Sequence, residues 1–90
     1  MIRIFLEDAP PLLVTIRAAV VAGDPSALRA AAHHLKGSVS MFGAGEMVRL
    51  CEELEGLGRS GLMTGTSVLL EKLEKEFPHV RAGLEQELKP

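Results

Sequence analysis

The chain has 90 residues, nearly half of them hydrophobic, with three Phe as its only aromatic residues, one Cys and a formal net charge of −2. At this length roughly 60–65% of the unfolded surface can be buried, enough for one core, and a core of Leu, Val, Ala and Met suits helix-on-helix packing. A weakly negative chain without a Lys/Arg stripe is a poor nucleic-acid binder, a single Cys cannot form an internal disulfide, and no apolar run reaches the ~18–20 residues of a membrane span. Without a basic leader and cleavage site either, the expected setting is cytoplasmic, free or as the cytoplasmic part of a larger membrane-anchored protein, with no direct membrane contact.

The first helix is predicted over about Ile2–Val21, where Ile2, Phe5, Ala9, Leu12, Leu13, Ile16 and Val20 repeat at three and four residues. Pro10 and Pro11 remove two N–H donors, so this helix is expected either to kink there or to begin at Pro10 with Asp8 as its N-cap. Gly23 ends it. Asp24 and Pro25 then supply the N-cap and first position of a second helix, expected to continue to about Met41. Phe42-Gly43-Ala44-Gly45 reads as a turn into a third helix, from about Ala44 to Leu57, with Met47, Cys51 and Leu54 on its apolar seam and Cys51 a small core residue. Gly56, Gly58 and Gly61 are expected to loosen the chain after it. A fourth helix is predicted to start between Met63 and Ser67 and to reach about Leu88, with Leu70, Leu73, Phe77, Val80, Leu84 and Leu88 in near-heptad spacing and a kink at Pro78. Short links between four amphipathic segments favour antiparallel neighbours, so the expected fold is all-α, an up-down-up-down four-helix bundle in one domain over residues 1–90.

His33 stands out within the second helix. On a wheel advancing about 100° per residue from Leu28, the residues Leu28, Ala32, Leu35, Val39 and Phe42 cluster within roughly 40° of a common direction and form a buried stripe. His33 lies at about 140°, Gly37 at about 180°, Lys36 at about 80° and Ser40 at about 120°, so an imidazole, an ammonium and a residue without a side chain share the outward face. His34 falls on the flank. A helix-interior glycine costs about 1 kcal/mol relative to alanine, and close approach by another molecule is a reason to keep one beside an exposed His.

His33-x-Leu35-Lys36-Gly37-Ser38, followed by Phe42-Gly43-Ala44, resembles the signature of histidine-containing phosphotransfer (HPt) domains. Phe5-Leu6-Glu7-Asp8-Ala9-Pro10, Leu12-Leu13, Ala22-Gly23-Asp24, Leu28 and Cys51-Glu52-Glu53-Leu54-Glu55 are similar to the flanking pattern, so the likeness spans nearly the whole chain. The resemblance implies a phosphorelay domain that takes a phosphoryl group on His33 and exchanges it with the aspartate of response-regulator receiver domains, upstream of which stands a histidine kinase. It implies Lys36 as the cation beside the phosphoryl group and Gly37 as the gap that admits a receiver, while Ser38 faces a neighbouring helix and reads as structural. Arg29, Ala30, Lys36, Gly37, Ser40 and Met41 are expected to form part of the docking surface. The sequence departs from the family in one respect: a further short helix usually precedes the Phe-Leu-Glu segment, and here only four residues do. It fits a free-standing domain and the C-terminal part of a larger hybrid histidine kinase.

The chemistry of the residues agrees with that likeness. An imidazole ordinarily titrates near 6.5, so around pH 7 an exposed ring is available as a nucleophile without a dedicated base. Phosphoryl transfer asks the protein chiefly for positioning and cations, and Lys36, three residues on, can supply one. No Gly-rich phosphate loop and no acidic cluster suited to Mg²⁺ accompany His33, so no cofactor is expected on this chain. ATP chemistry is expected of the kinase, and the metal of the receiver. The domain is then a phosphoryl carrier and not an enzyme in its own right. Three rivals fit less well. A sensor-kinase dimerisation helix would follow the His with an acidic residue and Pro, where His34, Leu35 and Lys36 stand here. A metal site from His33, His34 and His79 lacks i, i+3 or i, i+4 spacing between the adjacent pair. A non-catalytic helical interaction module leaves the motif unexplained.

Overall fold

A computed structural model describes residues 2–89 and shows four helices, α1 (Ile2–Ala22), α2 (Pro25–Ser40), α3 (Gly45–Ser60) and α4 (Thr66–Leu88), in an elongated bundle of 45 × 18 × 18 Å. Met1, the expected start of the domain, lies outside the described residues. Each helix packs on its neighbours in sequence, and α1 also packs on α4, which closes the ring; the backbones of the diagonal pairs stand farther apart. The expected up-down-up-down bundle is what forms.

The helix ends follow local chemistry. Asp24, in extended conformation, accepts a hydrogen bond from Ala27 N at 3.1 Å, and Pro25 follows at the first helical position, so α2 is capped by the two residues named from the sequence. At the end of α1, Gly23 takes φ 67°, and the Gly23 and Asp24 amides bond back to Val20 O and Ala19 O, the paired closure of a helix on a left-handed residue. Gly61 does the same for α3, with φ 77° and amides from Gly61 and Leu62 reaching Gly58 O and Leu57 O.

At Pro10 and Pro11 the alternative of a helix start is overturned: α1 runs from Ile2 to Ala22 through both prolines, which are exposed. α4 covers Thr66–Leu88, as expected, with the exposed Pro78 inside it. One helix end is corrected: α3 continues to Ser60 in place of Leu57, so Gly56 and Gly58 belong to the helix and do not loosen the chain. Gly58 is buried, and a Cβ on it would stand 2.8 Å from Pro25 O and 2.9 Å from Arg29 N. The third helix keeps this glycine because the backbone of α2 passes too close for any side chain.

The core is aliphatic as expected. Leu28, Ala32, Leu35 and Val39 of α2 are fully buried together with Met47, Leu50, Cys51 and Leu54 of α3, Ile16 of α1 and Leu73 of α4. Burial pushes the Cys51 thiol up to about 12, which makes it an inert core residue. Phe42 falls in the turn after α2, as expected, but is half-buried and not fully part of the buried stripe; its ring lies 5.2 Å from Phe5, which in turn lies 6.1 Å from Phe77. The three aromatic rings thus pack together around Phe5, joining α1, α4 and the α2–α3 turn.

Candidate functional site

With its apolar stripe buried, α2 has one orientation left, and it turns His33 outward with 69% of the side chain exposed. The ring is tethered on one side. Its Nδ1 lies 3.0 Å from Oε2 of Glu55, a carboxylate of α3 that is itself buried, 7% exposed. The same carboxylate collects two further groups: Lys36 Nζ lies 3.1 Å from Oε1, and Arg59 Nη2 donates to Oε2 at 3.1 Å.

The balance of forces on Glu55 can be read from its surroundings. Burial pushes its carboxyl up, yet the contacts from Lys36 and His33 together outweigh burial and hold it below the usual carboxylate value. Glu55 is therefore an anion at neutral pH. An ionised carboxylate only accepts hydrogen bonds, so the proton in the Nδ1 contact belongs to the imidazole. A neutral His33 ring then carries its hydrogen on Nδ1 and an open lone pair on Nε2, for which no protein partner exists among the described residues.

Other residues singled out from the sequence are arranged around this centre. Lys36, expected on the outward face, is 30% exposed and its side chain is folded onto Glu55. The imidazole is also not alone, since the Glu55 carboxylate sits against its Nδ1. Gly37 is exposed, and a Cβ added there would meet nothing within 4 Å, so it is not a helix-packing glycine. Arg29, Ala30, Ser40 and Met41 are all exposed; Ser40 Oγ donates to Gly37 O at 3.0 Å. Ser38 is half-buried, bonds back to His34 O, and lines a hollow between α1 and α2 with Ile4, Phe5, Asp8, Met41 and Phe42. No group of three His, Cys, Asp or Glu side chains able to hold a metal comes together among the described residues.

In the sequence Glu55 figures only as the end of the flanking Cys51-Glu52-Glu53-Leu54-Glu55 pattern, without a role, and Arg59 does not stand out. A signal for Glu55 was present: it stands eight residues after Met47 and four after Cys51, a charged residue in the phase of the apolar seam. Arg59 follows by one helical turn.

The family model described as Hpt domain matches residues 1–86. The chain belongs to the Hpt domain family. Among solved structures it is similar to histidine-containing phosphotransfer protein B (HptB) from Pseudomonas aeruginosa PAO1, with 38% sequence identity and a TM-score of 0.91 over 96% of this chain and 75% of that one. No curated protein matches it. This Hpt domain performs histidine phosphotransfer in a phosphorelay, and a purely non-catalytic helical interaction module is not favoured. Phosphotransfer proteins of the family are carriers and not kinases, and they work with receiver domains and kinases. None of the described helices is long and apolar enough to cross a membrane.

Proposed function

We propose that His33 is the phosphoryl acceptor of this Hpt domain and that Nε2 is its nucleophilic atom. The observation that carries the reading is the exposed imidazole with Nδ1 committed to the buried Glu55 carboxylate, which leaves Nε2 facing a partner. In the forward step the Nε2 lone pair forms the N–P bond in line with the departing oxygen of a receiver's aspartyl phosphate. The P–O bond breaks and its electron pair leaves with the aspartate carboxylate. The ring becomes cationic as the bond forms, and Glu55, already hydrogen-bonded to Nδ1–H, stabilises that charge from behind. Glu55 is thus a positioning residue that selects the tautomer and opposes the developing charge.

Lys36 stands one helical turn from His33, paired with Oε1 of Glu55, and is the cation we assign to the transferring phosphoryl group. Arg29, Gly37, Ser40 and Met41 are assigned to receiver docking; the open space beyond Gly37 supports a gap that a partner enters. The metal is the receiver's and the ATP site the kinase's, so this chain acts as a co-substrate and not a complete enzyme. The proposed location is the cytoplasm, where the ATP that feeds a relay is found.

The test is intact-mass spectrometry after mixing with a phosphorylated receiver domain, under conditions that preserve acid-labile phosphohistidine. Wild type should gain one phosphoryl group, His34→Gln should retain that gain and His33→Gln should lose it while staying folded. A reversed pattern in the two variants overturns the assignment. For Glu55, ¹⁵N spectra of the His33 ring separate positioning from mere folding: wild type holds the proton on Nδ1, and a Glu55→Ala variant of unchanged fold should show mixed tautomers.

A further inference from the structure

We infer that Arg29 and Arg59 form a cationic basin on one side of His33 that seats an acidic side chain on the rim of the partner receiver and so fixes the direction in which the receiver docks. The inference rests on His33 as the acceptor and adds to it a specificity determinant drawn from two helices. The hollow beside the imidazole is lined by Ser26, Arg29, Ala30 and His33 of α2 and by Glu55 and Arg59 of α3. Its one carboxylate, Glu55, is buried and already shared by His33, Lys36 and Arg59. Arg29 forms no ion pair among the described residues, and Arg59, 63% exposed, uses one nitrogen on Glu55 and keeps the rest of its donor fork for another acceptor. The hollow therefore carries uncompensated positive charge on a chain whose net charge is −2.

The backbone explains why the two guanidinium groups share one hollow. Gly58 abuts Arg29 N so closely that no side chain fits, and Arg59 is the next residue. On the opposite side of His33 the surface changes character. Gly37, His34, Ser38 and Met41 line a second hollow, and beyond it lie Ile4 and Phe42; Ile4 and Met41 are 57% and 58% exposed. The acceptor His thus stands on the boundary between a cationic half and a half that combines exposed apolar side chains with Asp8. A partner that matches both halves can bind in one direction only, and a partner with a basic residue over the first half is rejected by like charge. The partner chemistry that fits the cationic half is a carboxylate on the receiver surface next to its phosphorylated aspartate.

The experiment uses the receiver domain that transfers fastest to this chain in a panel of phosphorylated receivers, with KM and kcat for transfer measured at low and high salt. Arg29→Ala should raise KM about 3- to 10-fold, and Arg29→Glu further, with kcat within about 2-fold of wild type, since a rim charge acts on encounter and register. Ala30→Glu, which places a negative charge in the same hollow, should reproduce the rise. The salt dependence of KM should flatten in Arg29→Ala as screening loses its target. An unchanged KM with unchanged salt dependence overturns the basin, and so does a loss confined to kcat, which would put Arg29 on the phosphoryl group. Failure of the acceptor assignment is detected separately, as absence of phosphoryl gain on wild-type His33 in the mass measurement.

Discussion

The α2–α3 seam and the α1–α4 seam join the same kind of helix in the same bundle by different means. Between α2 and α3 the backbones meet at Gly58 with no room for a methyl group, and a buried carboxylate gathers three basic side chains. Between α1 and α4 the polar link is a two-pronged pair of Arg17 with Glu74, with Arg17 55% exposed and solvent around both groups. Water competes for an exposed pair and salt screens it, so it adds little to stability; a carboxylate buried among cations must keep its charge satisfied by fixed geometry. The imidazole proposed as the phosphoryl acceptor sits on the seam where helix spacing is tightly determined.

The largest effect that would break this contrast belongs to Gly58. Gly58→Ala is expected to destabilise by about 1–3 kcal/mol, because the added methyl overpacks against the backbone of α2. In a domain of this size that lowers the melting midpoint by about 4–8 °C for each kcal/mol. Calorimetry or circular dichroism checks it, and an unchanged midpoint would mean that the two helices separate freely.

Lys36→Ala comes next. Loss of the cation we assign to the phosphoryl group should slow transfer about 10- to 30-fold, equivalent to ~1–2 kcal/mol, without stopping it, because the receiver's metal still neutralises charge. Rapid-quench rates equal to wild type would remove Lys36 from the mechanism.

Gly37 sharpens the comparison with Gly58, since a glycine on the open face of α2 and a glycine inside the α2–α3 seam should respond oppositely. A Cβ at Gly37 meets open space, so Gly37→Ala should raise stability by up to about 1 kcal/mol, as alanine favours helix and restricts the unfolded backbone. Gly37→Gln should fold normally and bind receivers more weakly. Melting curves beside receiver titrations test both, and a destabilised Gln variant with full receiver affinity would contradict the docking gap.

Acid should separate the two seams more gently. The carboxyl of Glu55 is held below its ordinary value of 4.5, so the stability it contributes is complete above that value and is lost as pH falls through its lower folded value. Denaturant midpoints of wild type and Glu55→Gln should therefore converge as pH is lowered through that window. Convergence starting well above pH 4.5 would be inconsistent with a depressed carboxyl. At the other seam Arg17→Ala should leave the midpoint at neutral pH essentially unchanged, and a clear fall there would erase the distinction.

Much of this molecule was legible along one dimension. The 3.6-residue recurrence of apolar side chains determined the four helices, Asp24 and Pro25 the start of α2, and the phase of Leu28, Ala32, Leu35 and Val39 the outward direction of His33, because each of these depends on residues within a few turns of one another. The motif around His33 marked the family for the same reason. Gly56 and Gly58 misled, since a glycine that breaks a helix and one that lets another backbone approach are identical in a sequence. Tertiary structure alone decided that Glu55, 22 residues away on α3, would reach Nδ1 of His33, that Lys36 would fold onto the same carboxylate, and that Arg29 and Arg59 would face one hollow. Those contacts depend on the spacing and rotation of two helices against each other, which are set by how the whole core packs.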